Sequence, residues 1–265
     1  MELIGYCCAI LVGVSLGIFG SGGSILTVPI MVYLMNINPV DATGYSLFVV
    51  GLTSAVGGAN YVQKKMVHFK TALIFGIPSI LSVFLTRMFL IPLIPDIIFS
   101  TASYILTKKM FIMFIFSALM VIVAYTMIRK KEYNQALTEV TNEYNYYKLI
   151  SIGVVSGCVT GFLGVGGGFI IIPALFLYAN IPLKISVGTS LLIIAFNSLS
   201  GFTELLMEKH DALNFRFLLG FTFFSLVGIG LGYKLLIKLN SAQLKVMFGW
   251  FILLMGICVF LKELL

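Results

Sequence analysis

The sequence predicts an all-α polytopic membrane protein made of two homologous halves, each a glycine-interrupted helical hairpin followed by three transmembrane helices. Three observations predict it. First, 60% of the 265 residues are apolar and only 10% are charged, with a mean hydropathy of +1.08. A soluble fold carries about 25% charge, because its surface must be solvated. Second, the apolar residues fall into long runs, each of a length that crosses a bilayer or exceeds it. Third, the chain matches itself at a shift of 144 residues.

A crossing needs about 20 residues at 1.5 Å rise each. Six runs meet that length as ordinary spans: residues 40–62, 71–95, 110–128, 185–206, 213–236 and 244–261. Two are longer. Leu3–Met35 and Leu149–Ala179 would each make about 45–50 Å of straight helix, and each is broken by a glycine cluster, so neither is one continuous span. Arg129–Lys148 is the one hydrophilic stretch of any length and separates a first repeat, 1–128, from a second, 149–265. Cys7, Cys8, Cys158 and Cys258 lie in apolar runs without metal-ligand spacing and read as small core residues. Met1-Glu2-Leu3 lacks the basic start of a signal peptide.

The 144-residue shift places Gly13, Gly17, Gly20, Gly22, Gly23 and Pro29 on Gly157, Gly161, Gly164, Gly166, Gly167 and Pro173, and 13 of 45 aligned residues are identical. The register runs on through Gly44/Gly188, Ser46/Ser190 and Ser54/Ser198. A hairpin that enters and leaves on one side gives each half an odd number of crossings and makes the repeats inverted. Eleven Lys and Arg then lie inside and five outside, against ten and six for parallel repeats. The acidic loop around Glu204, Glu208 and Asp211 also stands where its repeat partner around Lys64 and Lys65 is basic. Inversion is therefore the expected arrangement. The net charge of +7 marks membrane orientation and implies no nucleic-acid partner.

Non-helical backbone inside a bilayer survives only where it is buried in protein or lines a polar cavity. Each glycine cluster is followed by a fresh helix whose first turn offers free N–H groups at the positive end of a dipole, an anion site that needs no Lys or Arg. Gly20, Ser21, Gly22, Gly23 and Ser24, with Gly164, Gly166, Gly167 and Gly168, are thus expected to line a substrate site. Gly13 and Gly17, like Gly157 and Gly161, have instead the spacing of helix-packing pairs.

The segments GIFGSGGSILTVP (17–29), GFLGVGGGFIIIPAL (161–175) and VGTSLLIIAFNSLSGF (187–202) resemble the signature of the sulfite exporter TauE/SafE family of membrane permeases. The resemblance covers nearly the whole chain and is closer in the second half. In the first half, Ser21 and Ser24 replace more typical apolar or glycine residues, and Gly44-Tyr45-Ser46 replaces Gly-Thr-Ser. The resemblance implies transport of sulfite, sulfonates and related sulfur-containing anions, and the departures leave the equivalence of the two half-sites open.

Polar side chains at membrane depth face the bundle interior. Ser46, Thr53, Ser54 and Asn60 in the first half, and Thr189, Ser190, Asn197, Ser198 and Thr203 in the second, supply neutral donors to an oxyanion or hydrogen bonds between helices. Ser46, Asn60, Thr189, Ser190 and Asn197 join the candidate binding residues. Arg87 falls 17 residues after Lys70, which is about 25 Å of helix, and snorkels to the far interface. Glu204 faces water or relays protons. His68 and His210 stand in loops without paired ligands. No phosphate loop, catalytic constellation or metal cluster is visible, so no enzyme and no cofactor are expected. The expected protein is a multi-pass carrier in the cell membrane. Its partners are the lipid bilayer, a small anion and a coupling proton or cation. The alternative is an anion channel or a structural membrane subunit.

Overall fold

The computed structural model describes residues 2–37, 39–90, 93–95, 97–101, 104–129, 146–163, 168–179, 181–208 and 215–264. Helix α1 (Glu2–Phe19) is followed by α2 (Gly22–Pro29), which ends in a π-helical turn, Ile30–Leu34. Then come α3 (Pro39–Gln63) and α4 (Phe69–Leu85), the latter also running into a π turn, Thr86–Leu90. Strands β1 (Ile97–Thr101) and β2 (Tyr104–Thr107) form an antiparallel ribbon leading into α5 (Lys108–Arg129). The second half repeats the order with α6 (Tyr146–Leu163), α7 (Gly168–Tyr178), α8 (Leu183–Glu208), α9 (Phe215–Lys238) and α10 (Ser241–Leu264).

Six of these helices have the length and apolar composition to cross a membrane, and they coincide with the six runs read as ordinary spans. The fold is thus that of an all-α polytopic membrane protein. The ribbon is the one departure among the described residues. It lies between the spans, where the run Ile97-Ile98-Phe99 and the later Tyr104-Ile105-Leu106 supply the β-branched and aromatic residues that favour strands.

The first long apolar run does double back. Gly20 has φ +63°, the left-handed conformation that closes a helix, and its N–H donates to the Leu16 carbonyl at 2.7 Å. Gly23 then lies on Leu16 and Val12, and Gly5 on the Met35 thioether, so α2 returns along α1. A β-carbon added at Gly23 would meet the Val12 oxygen at 2.8 Å, which is why glycine stands there. Pro29 lacks the N–H that would continue the α-helical pattern, and the wider π turn begins at the next residue.

Between helices the glycines set both the spacing and the direction. Gly13 sits on Ser225 and Gly228, and Gly17 on Ile229 and Gly232, so α1 and α9 run parallel in backbone contact. Gly153, Gly157 and Gly161 meet Phe75, Ser79 and Thr86 in the same sense, which pairs α6 with α4. The packing role expected for Gly13, Gly17, Gly157 and Gly161 is what these contacts show. In contrast, Gly51 meets Leu199 and Gly58 meets Leu192, so α3 and α8 cross antiparallel. Gly256 on Met120 and Gly249 on Ile128 make α5 and α10 antiparallel as well. Tyr61, fully buried near the end of α3, donates its hydroxyl to the Gly17 carbonyl at 2.7 Å and ties the hairpin to this framework.

Candidate functional site

The tip of the first hairpin meets the start of α7 inside the bundle. Gly168, the first residue of α7, lies against Ser21 and Ile194; a β-carbon on it would fall 2.6 Å from the Ser21 Cβ. Ile194 is close to the midpoint of α8, so the junction lies about halfway through that span. Ser21 is fully buried and holds the N-cap position of α2, yet its side chain makes no capping bond to that helix; its hydroxyl donates to the Phe19 carbonyl at 3.4 Å. The first turn of α2 is therefore left uncapped by Ser21 beside the junction, at the positive end of the helix dipole.

Gly20 packs on α8 at Val187 and Ser190, with the Ser190 hydroxyl 2.8 Å from where a β-carbon would stand. Ser190 and Thr189 are fully buried. Ser190 donates to the Val187 carbonyl in its own helix at 2.8 Å, and Thr189 accepts from the backbone N–H of His68 at 3.0 Å. Thr189 thus fastens the α3–α4 loop to α8. His68 in turn caps α4, its Nδ1 accepting from the Thr71 N–H at 3.2 Å. Burial and then the Lys70 charge hold its pKa below the ordinary histidine range, which favours the neutral ring that this acceptor role requires.

Gly22 and Gly23 do not face the junction. Gly22 lies under the Phe251 and Phe19 rings and Gly23 against α1, so their small size serves packing of the hairpin. Ser46 is buried in α3. Asn60 is exposed, less than one turn before the end of α3. Gly164, Gly166 and Gly167, like the side chains of Ser24, Arg87, Glu204 and His210, lie outside the described residues.

The interior holds polar groups whose rank the sequence pattern does not show. Thr53 and Ser54 in α3 are fully buried, Ser198 in α8 is 1% exposed, and their hydroxyls have no hydrogen-bond partner among the described residues. Both amide atoms of Asn197 are in the same condition. Lys245, at the start of α10, is also buried, with its ammonium 5.9 Å from the centre of the Phe176 ring of α7. A cation that close to the second hairpin carries no motif that would single it out from the other loop lysines. Among the described residues no cluster of His, Cys, Asp and Glu could hold a metal.

Six spans around a broken-helix hairpin, whose tip meets the start of α7 near the middle of a span, make this a multi-pass integral membrane protein of the transporter class. The family model described as sulfite exporter TauE/SafE matches residues 6–259, and the chain belongs to that family. A probable membrane transporter protein of Xylella fastidiosa (strain Temecula1) is 29% identical over 258 residues, covering 94% of this chain and 91% of the relative. The probable membrane transporter protein YunE of Bacillus subtilis is 27% identical over 211 residues, 73% of this chain and 74% of the relative. A probable membrane transporter protein of Methanocaldococcus jannaschii is 24% identical over 265 residues, 95% and 92% of the two chains. No solved structure matches the chain. The protein is a membrane transporter of the cell membrane, in a family of transporters and not of enzymes.

Proposed function

We propose that the chain is a secondary carrier of small sulfur oxyanions, such as sulfite or an organosulfonate, driven by a proton or cation gradient. The observation that carries this is the Ser21–Gly168 junction, which brings a helix N-terminus from each half to one point near mid-membrane. Backbone N–H groups and hydroxyls there bind an anion without a fixed cation to trap it. The family and the names of the relatives support transport, and the family description supports the sulfur oxyanion. Purified protein in proteoliposomes is expected to take up sulfite saturably and only when a gradient is imposed. Non-saturable flux identifies a channel, and no flux of sulfite or any organosulfonate rejects the carrier.

Alternating access then follows from inverted repeats. Helices that repeat one another, α3 with α8 and α5 with α10, pack antiparallel, as a two-fold axis in the membrane plane requires. The same geometry puts Lys64, Lys65, Lys70, Lys184 and Lys238 at one end of the bundle, which the positive-inside rule makes cytoplasmic. In a chain whose four cysteines are replaced by serine, Lys64→Cys should react with an impermeant thiol reagent only from the cytoplasmic side, and Lys262→Cys only from the other. Reaction of both from one side would sink the inverted arrangement.

A further inference from the structure

Helical hydroxyls in this chain have a default partner. Ser15, Thr27, Ser117, Thr126, Ser156 and Ser190 each donate to a carbonyl three or four residues earlier. That bond is open to any serine or threonine in a helix. Five buried hydroxyls do not take it, Thr53, Ser54, Ser79, Ser198 and Thr222, and none has another partner among the described residues. An unpaired buried hydroxyl forfeits its hydration without replacement, and hydrocarbon supplies no substitute. Of these hydroxyls only Ser54 and Ser198 fall on one another in the 144-residue register, which points to a ligand between the repeats.

Their placement names the ligand's location. Contacts of Gly51 with Leu199 and of Gly58 with Leu192 bracket the level at which α3 and α8 cross. Ser54 and Ser198 both lie at that level, and the 144-residue register carries one onto the other. Ser198 follows Ile194 by one helical turn on the same face, and Ile194 is the residue against which Gly168 packs. Ser54 likewise follows Val50, the fully buried repeat partner of Ile194. Both hydroxyls therefore aim toward the joined hairpin tips, one from each half. Beside them the repeat is unequal: Asn197 stands where the first half has Thr53.

We infer that Ser54 and Ser198 are paired donors to the transported oxyanion, holding two of its oxygens against the hairpin tips and exchanging roles between the outward-facing and inward-facing states. The inference rests on the carrier function proposed for this chain. A symmetric pair on the axis between inverted halves presents the same groups to the solute from either side. The longer Asn197 amide makes the second half's contribution the larger.

The test is sulfite transport by the full chain in oriented proteoliposomes, measured in both directions. Ser54→Ala and Ser198→Ala are each expected to raise KM about tenfold, the effect of one lost hydrogen bond to a charged group. The larger rise should appear in opposite directions for the two variants, and Ser198→Thr should restore the wild-type KM. Thermal unfolding of neither alanine variant should fall below the wild-type temperature. A wild-type protein that moves sulfite while both variants keep its KM overturns the inference and leaves the carrier standing. A lowered unfolding temperature with unchanged KM overturns it in favour of helix packing. Equal rises in both directions overturn the exchange of roles. A wild-type protein that moves no sulfur oxyanion rejects the carrier itself.

Discussion

Gly168→Leu is expected to lower solute flux at least a hundredfold in proteoliposomes while the protein still inserts and elutes as the wild type does. The reason is local. A β-carbon at this position already falls 2.6 Å from the Ser21 Cβ and overlaps the Ile194 side chain. The rest of a leucine side chain would force the two hairpin tips apart. A loss of about 2.7 kcal/mol in transition-state stabilisation is enough for a hundredfold change. Gly168→Ala, with less to accommodate, should retain part of the activity. Gly22→Leu is not an equivalent test, because its side chain would push on Phe251 and Phe19 and disturb the seat of α2 against α10. Wild-type flux through Gly168→Leu would remove the tip junction from the transport path.

The second large effect is on assembly. Gly13→Leu and Gly228→Leu should each yield no monodisperse protein in detergent, whereas Gly230→Leu should purify and transport like the wild type. At Gly13 an added β-carbon overlaps the Ser225 carbonyl and comes within 2.9 Å of the Gly228 Cα; at Gly228 it overlaps the Ile10 carbonyl. Backbone on both sides cannot rotate away as a side chain can. The strain is at the upper end of overpacking, about 3 kcal/mol or more, against a total stability of only about 5–15 kcal/mol. Gly230 lies two residues further along the same helix and a β-carbon there meets nothing within 4 Å. Size-exclusion chromatography of the three variants decides it, and normal elution of Gly13→Leu would show that α1 and α9 tolerate separation.

The spans were legible because a bilayer imposes one length and one composition on every crossing, and Asp41–Gln63 or Leu183–Thr203 satisfies both without reference to any neighbour. The reversal at Gly20 was legible for a related reason: a run too long to cross once, with glycine in its middle, has few ways to stay inside a membrane. Which neighbour a glycine admits was not legible. Gly13, Gly22 and Gly168 are one residue type in three apolar runs, yet they accommodate a helix backbone, an aromatic ring and the opposing hairpin tip. Asn60 shows the same limit for polar residues. Its position within α3 suggests membrane depth, but it stands four residues before Lys64, at the helix end, where an amide is exposed without penalty. Ser54 and Ser198 could be paired by register, but only the hydrogen-bond geometry separates them from Ser15 or Ser156, which satisfy themselves.

The pairing of α1 with α9 and of α4 with α6 also bears on how the chain is made. Each half lends its first helix to the other half's second full span, so the two halves are interlaced and not merely docked. During synthesis α1 enters the membrane well before α9, and its glycine face finds no partner until α9 is inserted. The bundle therefore closes across the repeat boundary, and α1 is locked in place only after the whole first half and most of the second have been inserted.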